Sequence, residues 1–360
     1  MTDAADDMER IRYGLTPQMR EYDRLLARAA LRWSPHIMFF HPARYVSHVV
    51  NTDEFGFRLG MGPAGEANFS PSNLAGAPEV NLLIGGSVVM GLGCSGDLST
   101  IPSILTRSGV GEAPWINMGG RGFTSAQELI LFLLMRDRLP AIRHIVVLSG
   151  LNNLVLADPR SEFATSLGDF FFSHDFATAM ADMNARYLPR RPFWKRTRRH
   201  EVALQRDDAC PGEESDPGER LALAVRQIGR DLGHWSSLAA GLDCTLTYVM
   251  QPFATWMARE PHEHERVIFD SLDRHTGESG TLAGIRGAAT GKQFRRAVEV
   301  LCNSHRVSFI DMNTRLTADP YRDRWLFVDR AHLTDTGCEA VAETVHEALL
   351  QLHHRAYSST

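Results

Sequence analysis

Asn81-Leu82-Leu83-Ile84-Gly85-Gly86-Ser87-Val88-Val89-Met90-Gly91 decides how this chain is read. Its first half is a short apolar run ending at glycine, the pattern of a strand buried on both faces of a parallel sheet. Its second half opens with Gly-Gly-Ser, and helical spacing resumes from about Leu98 to Thr106. A serine between glycines at the tip of a buried strand sits where a strand-to-helix turn holds its hydroxyl clear of the sheet. The glycines allow a sharp bend and a close approach by substrate. Ser87 is therefore the candidate nucleophile, and later segments must supply its partners.

Downstream, strands and helices alternate. Trp115 to Met118 reads as a strand that enters the glycine-rich turn Gly119-Gly120-Arg121-Gly122-Phe123. Thr124 or Ser125 then caps an apolar helix from Ala126 to Arg138. Ile142 to Leu148 is the next strand and ends at Ser149-Gly150-Leu151-Asn152-Asn153. A helix over 219–239, a strand from Cys244 to Met250, a helix from Gln293 to Cys302 and a strand from Val307 to Ile310 follow. Trp325 to Val328 approaches Asp329, and a helix from Asp335 to Leu350 closes the pattern, with Ala340, Val341, Val345 and Leu349 on one face. Upstream, residues 1–16 are expected to fray, and apolar spacing predicts a helix from Thr16 to about Trp33. Asn51 to Arg58 reads as a loop that packs two phenylalanines. The alternation predicts a three-layer α/β/α sandwich with a mainly parallel sheet. Ligands of such sheets bind beyond the carboxyl ends of the strands, and Ser87, Gly122 and Asn152 all follow strand ends.

A serine hydroxyl attacks only when a base takes its proton. The candidate base is His332 in Val328-Asp329-Arg330-Ala331-His332-Leu333-Thr334. Asp329, three residues earlier, can hold one imidazole nitrogen and turn the other toward Ser87. Candidate donors for a developing oxyanion are the backbone N–H of Ser87, the backbone N–H of Gly122 and the amide of Asn152. Gly86, Val88, Arg121 and Asn153 flank these positions and are the candidate substrate-pocket residues. Other clusters carry less. His262-Glu263-His264-Glu265 lacks the spacing that sets two histidines on one helix face for a metal, and reads as a solvated helix start after Pro261. Cys94 reads as a small buried side chain, and the Gly85–Gly91 turn lacks the lysine of a phosphate loop.

The 360 residues carry 44% hydrophobic residues and a formal charge of -5, which suits a large core and no nucleic-acid partner. The acidic start has no signal-peptide pattern, and no apolar run reaches membrane-spanning length, so a cytoplasmic location without membrane contact is expected. Five scattered cysteines without a paired motif suit reduced thiols.

Four blocks together resemble the SGNH (GDSL-type) hydrolases: Gly85-Gly86-Ser87-Val88-Val89-Met90-Gly91; Asn117 to Ser125; Gly150-Leu151-Asn152-Asn153; and Asp329 to Gly337. They occur in the family's order. Ser125-Ala126-Gln127-Glu128-Leu129 and the Asn51–Arg58 stretch look like a bacterial Gly-Gly-Ser subgroup. The resemblance implies a flavodoxin-like sheet and a family core over 79–360, with an insertion at about 160–218 and an N-terminal helical or irregular extension over 1–78 that packs on the core. Two departures stand out. Gly86 replaces the usual aspartate before the serine, and Asn153 replaces the one after the third-block asparagine, which changes the electrostatics of that loop.

The expected function is cleavage of a small-molecule acyl ester or thioester, free or carrier-bound, through an acyl-enzyme, with no cofactor and no metal. The same site could pass the acyl group to an amine or alcohol, and a catalytically idle binding or regulatory protein is the other alternative. The basic stretch Arg186 to Arg199 and the acidic stretch Asp207 to Glu219 read as an inserted, solvated loop. With the N-terminal segment it is expected to form a lid or flank over the strand edge, or a dimer contact.

Overall fold

The structure, a computed structural model, describes residues 2–25, 27, 32–158, 167–187, 216–275, 282 and 284–358. Most of the inserted charged stretch, Cys210 and the end of the chain lie outside the described residues. The central sheet consists of β1 (Glu79–Gly85), β2 (Trp115–Gly119), β3 (Ala141–Ser149), β4 (Thr245–Met250) and β5 (Ser308–Asp311). All neighbours run parallel, in the order 2-1-3-4-5. That is the strand order of the flavodoxin-like doubly wound fold.

Strand side chains alternate between two apolar layers. Leu82, Ile84, Ile116, Met118, Ile145 and Val147 face one side. There they meet Phe132 of the Ser125–Met135 helix, Trp235 of the Pro217–Leu242 helix, and Phe294 and Val298 of the Ala288–Ser304 helix. Leu83, Val146, Leu148, Val249 and Ile310 face the other. Their partners are Ile101 and Ile104 of the Ile101–Arg107 helix, Ile268 and Leu272 of the Glu263–His275 helix, and Val341 and Val345 of the Asp335–Ser358 helix. Each fully buried aliphatic side chain contributes about 1.5–3 kcal/mol relative to exposure. Burial on both faces explains why the strands are continuous apolar runs rather than alternating ones.

The strand order reverses around β1, between β2 and β3. This leaves a crevice beyond the carboxyl ends of β1 and β3, from which the Ser87 and Gly150 turns emerge. The helical element that begins with Ser87 is a single turn. It spans only Ser87–Met90, because Gly91 takes up a left-handed conformation with φ +87° and ends it. A single 3-10 turn, Asp97–Ser99, precedes the Ile101–Arg107 helix. The Ser87 turn rests directly on β2: a Cβ on Gly119 would lie 2.1 Å from the backbone nitrogen of Met90, so only glycine fits there.

The N-terminal segment departs furthest from expectation. Residues 2–15 form a helix rather than a frayed end, and Met8 and Leu15 pack on the second apolar layer. The acidic start hides a helical repeat that becomes visible only against that partner surface. The helix expected from Thr16 to Trp33 spans only Met19–Leu25. Trp33 instead belongs to the strand Arg32–Ser34, paired antiparallel with Met38–Phe40. A second short ribbon pairs Gly60–Met61 with Ala67–Phe69. The four described cysteines, Cys94, Cys244, Cys302 and Cys338, are free. Cys94 is buried, with its sulfur 3.3 Å from that of Cys338. Among the described residues, no helix is long and apolar enough to cross a membrane.

Candidate active site

Ser87 begins the helical turn beyond β1, where its side chain points into the crevice. Its Oγ lies 2.7 Å from His332 Nε2. His332 Nδ1 lies 2.7 Å from Asp329 Oδ2 and 2.9 Å from Oδ1. A carboxylate only accepts, so Nδ1 carries the proton and Nε2 is left as the acceptor for the Ser87 hydroxyl. The chain folds this way locally because Phe327 and Leu333 pair across an isolated antiparallel bridge, with Val328 N–H donating to His332 O at 2.9 Å. Asp329 Oδ1 also accepts from the backbone N–H groups of Ala331 and His332, each at 2.8 Å.

Burial by itself would raise the Asp329 pKa. The neighbouring imidazole, its hydrogen bond and the two backbone N–H groups outweigh burial and bring it down to about 2. The carboxylate is therefore charged wherever the protein is folded near neutrality.

Asn152 does not cap the helix that carries it. That helix spans Leu151–Leu156, and its N-cap is Gly150, whose φ of +105° favours glycine. The Asn152 amide instead reaches back to donate to Phe123 O at 2.8 Å, and a Cβ on Gly86 would lie 2.8 Å from the same nitrogen. The amide thus lies between the Ser87 turn and the Gly119–Phe123 loop. Gly122 sits in that loop with φ +66° and faces the ring of Phe171. The Arg121 guanidinium stacks over the Phe172 ring, 4.7 Å from its centroid, and burial lowers its pKa to about 10. It remains a cation at neutral pH.

Two expected pocket residues are not at the pocket. Val88 is 1% exposed and belongs to the second apolar layer, because the helical turn swings it away from Ser87. Asn153 is 2% exposed. Its Oδ1 accepts from Ser125 N–H at 3.0 Å, and its Nδ2 donates to Ser125 Oγ at 3.0 Å. Ser125 Oγ in turn donates to Asp231 Oδ2 at 2.6 Å. Asn153 therefore staples two helices, a task for which an amide, with donor and acceptor both in use, suits better than a carboxylate.

The structure also brings in side chains that sequence reading missed. Glu265, expected on a solvated helix start, is fully buried, and both of its carboxylate oxygens accept from Arg259 Nη2, at 2.6 and 2.7 Å. Its Oε1 accepts from the N–H groups of Leu326 and Phe327 at 2.8 and 3.0 Å, which holds the segment leading to Asp329. A carboxylate in the first turn of a helix is ordinarily solvated, and nothing local marks this one as buried. Glu128 is also fully buried, and its Oε1 accepts from Ser149 Oγ at 2.7 Å. A lone carboxylate at the start of an otherwise apolar helix was the available signal. Among the described residues no cluster of three or more His, Cys, Asp or Glu could hold a metal ion.

Burial raises the Glu128 pKa to about 8 against the Ser149 hydrogen bond, with Asp231 adding to the rise. The folded protein then keeps this proton up to about pH 8, whereas the unfolded chain releases it near 4.5. Between these values the folded state binds more protons, so this group makes stability fall as pH rises. In thermal unfolding from pH 5 to 9, Glu128→Gln should remove that decline, whatever its constant offset from wild type. Parallel wild-type and variant curves would refute a proton on Glu128.

No family model matches the chain, and no curated protein matches it. Among solved structures, it is similar to a putative acylhydrolase from Bacteroides fragilis at 12% identity, covering 76% of this chain and 88% of that one with a TM-score of 0.36. It is similar to the lipase/acylhydrolase from Enterococcus faecalis at 14% identity, covering 75% and 95% with a TM-score of 0.41. It is also similar to Est24, a carbohydrate acetylesterase from Sinorhizobium meliloti, at 11% identity, covering 76% and 99% with a TM-score of 0.43.

Proposed function

We propose that the chain is a serine hydrolase that cleaves an acyl ester or thioester of a small molecule through an acyl-enzyme. The observation that carries this reading is the unbroken chain from Ser87 Oγ through His332 to Asp329. In the first step Ser87 Oγ bonds to the acyl carbon while its proton passes to His332 Nε2. The oxygen of the tetrahedral intermediate takes hydrogen bonds from the Ser87 and Gly122 N–H groups and the Asn152 amide, each typically worth about 10²- to 10³-fold in rate. Asp329 supports the transient imidazolium. Collapse breaks the bond to the alcohol or thiol, which leaves with the proton from His332. Water then gives a proton to His332 as its oxygen bonds to the acyl carbon; the bond from that carbon to Ser87 Oγ breaks, His332 returns the proton to Oγ, and the acid leaves. An amine or alcohol in place of water would make the same site an acyltransferase. The distinction lies in how well the bound acceptor excludes water.

A fluorophosphonate probe tests the reading, because it phosphonylates only an activated serine. Mass spectrometry should find the adduct on Ser87. Folded protein that takes up no probe would overturn the hydrolase reading in favour of a binding protein.

A further inference from the structure

The stretch from Asn51 to Arg58 has no part in the chemistry above, yet it carries three buried polar side chains, Thr52, Asp53 and Arg58. It closes into a hairpin through a bridge between Thr52 and Arg58, and Asp53 Oδ1 accepts from the N–H groups of Phe55, Gly56 and Phe57 at 2.8–2.9 Å. Arg58 is 1% exposed. Its Nε pairs with Asp97 Oδ1 at 2.8 Å, and its Nη2 donates to Val49 O at 2.7 Å. Its Nη1 donates to Gly91 O at 2.8 Å and lies 3.3 Å from Met90 O, the carbonyls at the end of the turn that begins with Ser87. Asn51, seven residues earlier, grips the same Asp97 through its side-chain amide at 2.6 Å.

The other end of the hairpin reaches the neighbouring loop. Gly56 O accepts from His41 Nδ1 at 3.0 Å, and His41 Nε2 accepts from the backbone N–H of Arg121 at 3.0 Å, one residue before Gly122. Burial lowers the His41 pKa to about 4, so the ring stays neutral and Nε2 stays an acceptor at ordinary pH. One closed hairpin thus bonds directly to the turn that presents Ser87 and, through His41, to the loop that presents Gly122.

We propose that this hairpin sets the geometry of the active site: Arg58 is a positioning residue for Ser87, and His41, oriented by Gly56, is a positioning residue for the Gly122 amide. The inference rests on the hydrolase reading for its catalytic consequence. The N-terminal segment is then a brace beneath the reacting groups and not a lid over them. Lysine cannot replace Arg58, because one ammonium cannot reach Asp97, Val49 O and Gly91 O in the planar fork they require. It does keep a cation beside Asp97, which avoids leaving a buried charge unpaired. Asparagine at 41 can mimic Nδ1 and keep the bond to Gly56, but it falls short of Arg121. Glutamine can reach Arg121 with its carbonyl.

The experiment combines steady-state turnover of p-nitrophenyl acetate with amide hydrogen exchange, on the full chain. Arg58→Lys and His41→Asn should each lower kcat by about 10- to 100-fold, the size expected for ångström-scale misplacement. KM should stay within about twofold, since neither residue is expected to touch substrate. His41→Gln should recover most of the loss. Exchange should quicken at Gly91 and Leu92, whose N–H groups bond Ser87 O, in Arg58→Lys, and over residues 120–123 in His41→Asn. An active wild type with kcat unchanged in both variants would overturn the proposal. A wild type inert to both ester and fluorophosphonate would instead sink the hydrolase reading. In that case exchange decides the brace: unchanged protection in both variants overturns it, and local loosening supports it. If Arg58→Lys fails to fold, the His41 pair decides by the same criteria.

Discussion

Ser87→Ala is expected to lower kcat for any ester the wild type cleaves by about 10⁶-fold, the scale seen when a nucleophile of this kind is removed. The size follows from the cooperation of the three side chains. Without the hydroxyl, His332 has no proton to take from a bound nucleophile, and the preorganised Asp329 contact no longer bears on an attacking atom. A residual rate above that in water should remain, because the oxyanion donors and the binding crevice are intact. Fluorophosphonate labelling should vanish altogether. The fold should not change, since among the described residues the only side-chain hydrogen bond Ser87 makes is to His332. Circular dichroism and thermal unfolding check this. A folded variant that retains wild-type turnover would remove Ser87 from the reaction.

Asp329→Asn is expected to cost about 10⁴-fold in kcat, because it reverses the imidazole tautomer. The geometry dictates the reversal. The Ala331 and His332 N–H groups both point at Oδ1, so an asparagine would turn its carbonyl oxygen to them and its NH₂ toward His332 Nδ1. The imidazole must then accept at Nδ1 and carry its proton on Nε2, facing Ser87, where no lone pair is left to act as base.

The same substitution has a stability signature. The Asp329 pKa is depressed in the folded protein, from 3.8 to about 2, so its stabilisation is complete above the unfolded value and is lost as pH falls through the folded one. The deficit of Asp329→Asn in denaturant unfolding should therefore shrink as pH falls from about 4 toward 2. A deficit independent of pH down to that limit would mean that the carboxylate charge contributes nothing.

The sheet is legible in the chain. A strand covered on both faces must be apolar along its whole length, so β1, β3 and β4 announce themselves in a few consecutive residues, and glycines mark where the chain leaves them. It also nominated Ser87, Asp329, His332, Gly122 and Asn152, because serine, histidine and glycine at strand ends in one order are recognisable before anything is known of distance. Which polar groups turn inward is set by the assembled fold. Val88 and Asn153 stand beside nominated residues in the chain yet point into the interior, while Arg58, His41, Glu128 and Glu265 look like surface residues and are buried. A buried polar group is held by partners scattered along the chain, and such pairing has no period. The helix over residues 2–15 escaped for a related reason: its apolar stripe is too sparse to stand out until the layer it packs on is in view. Periodic burial is written locally and can be read from the chain, whereas the satisfaction of buried charge is a property of the assembled fold.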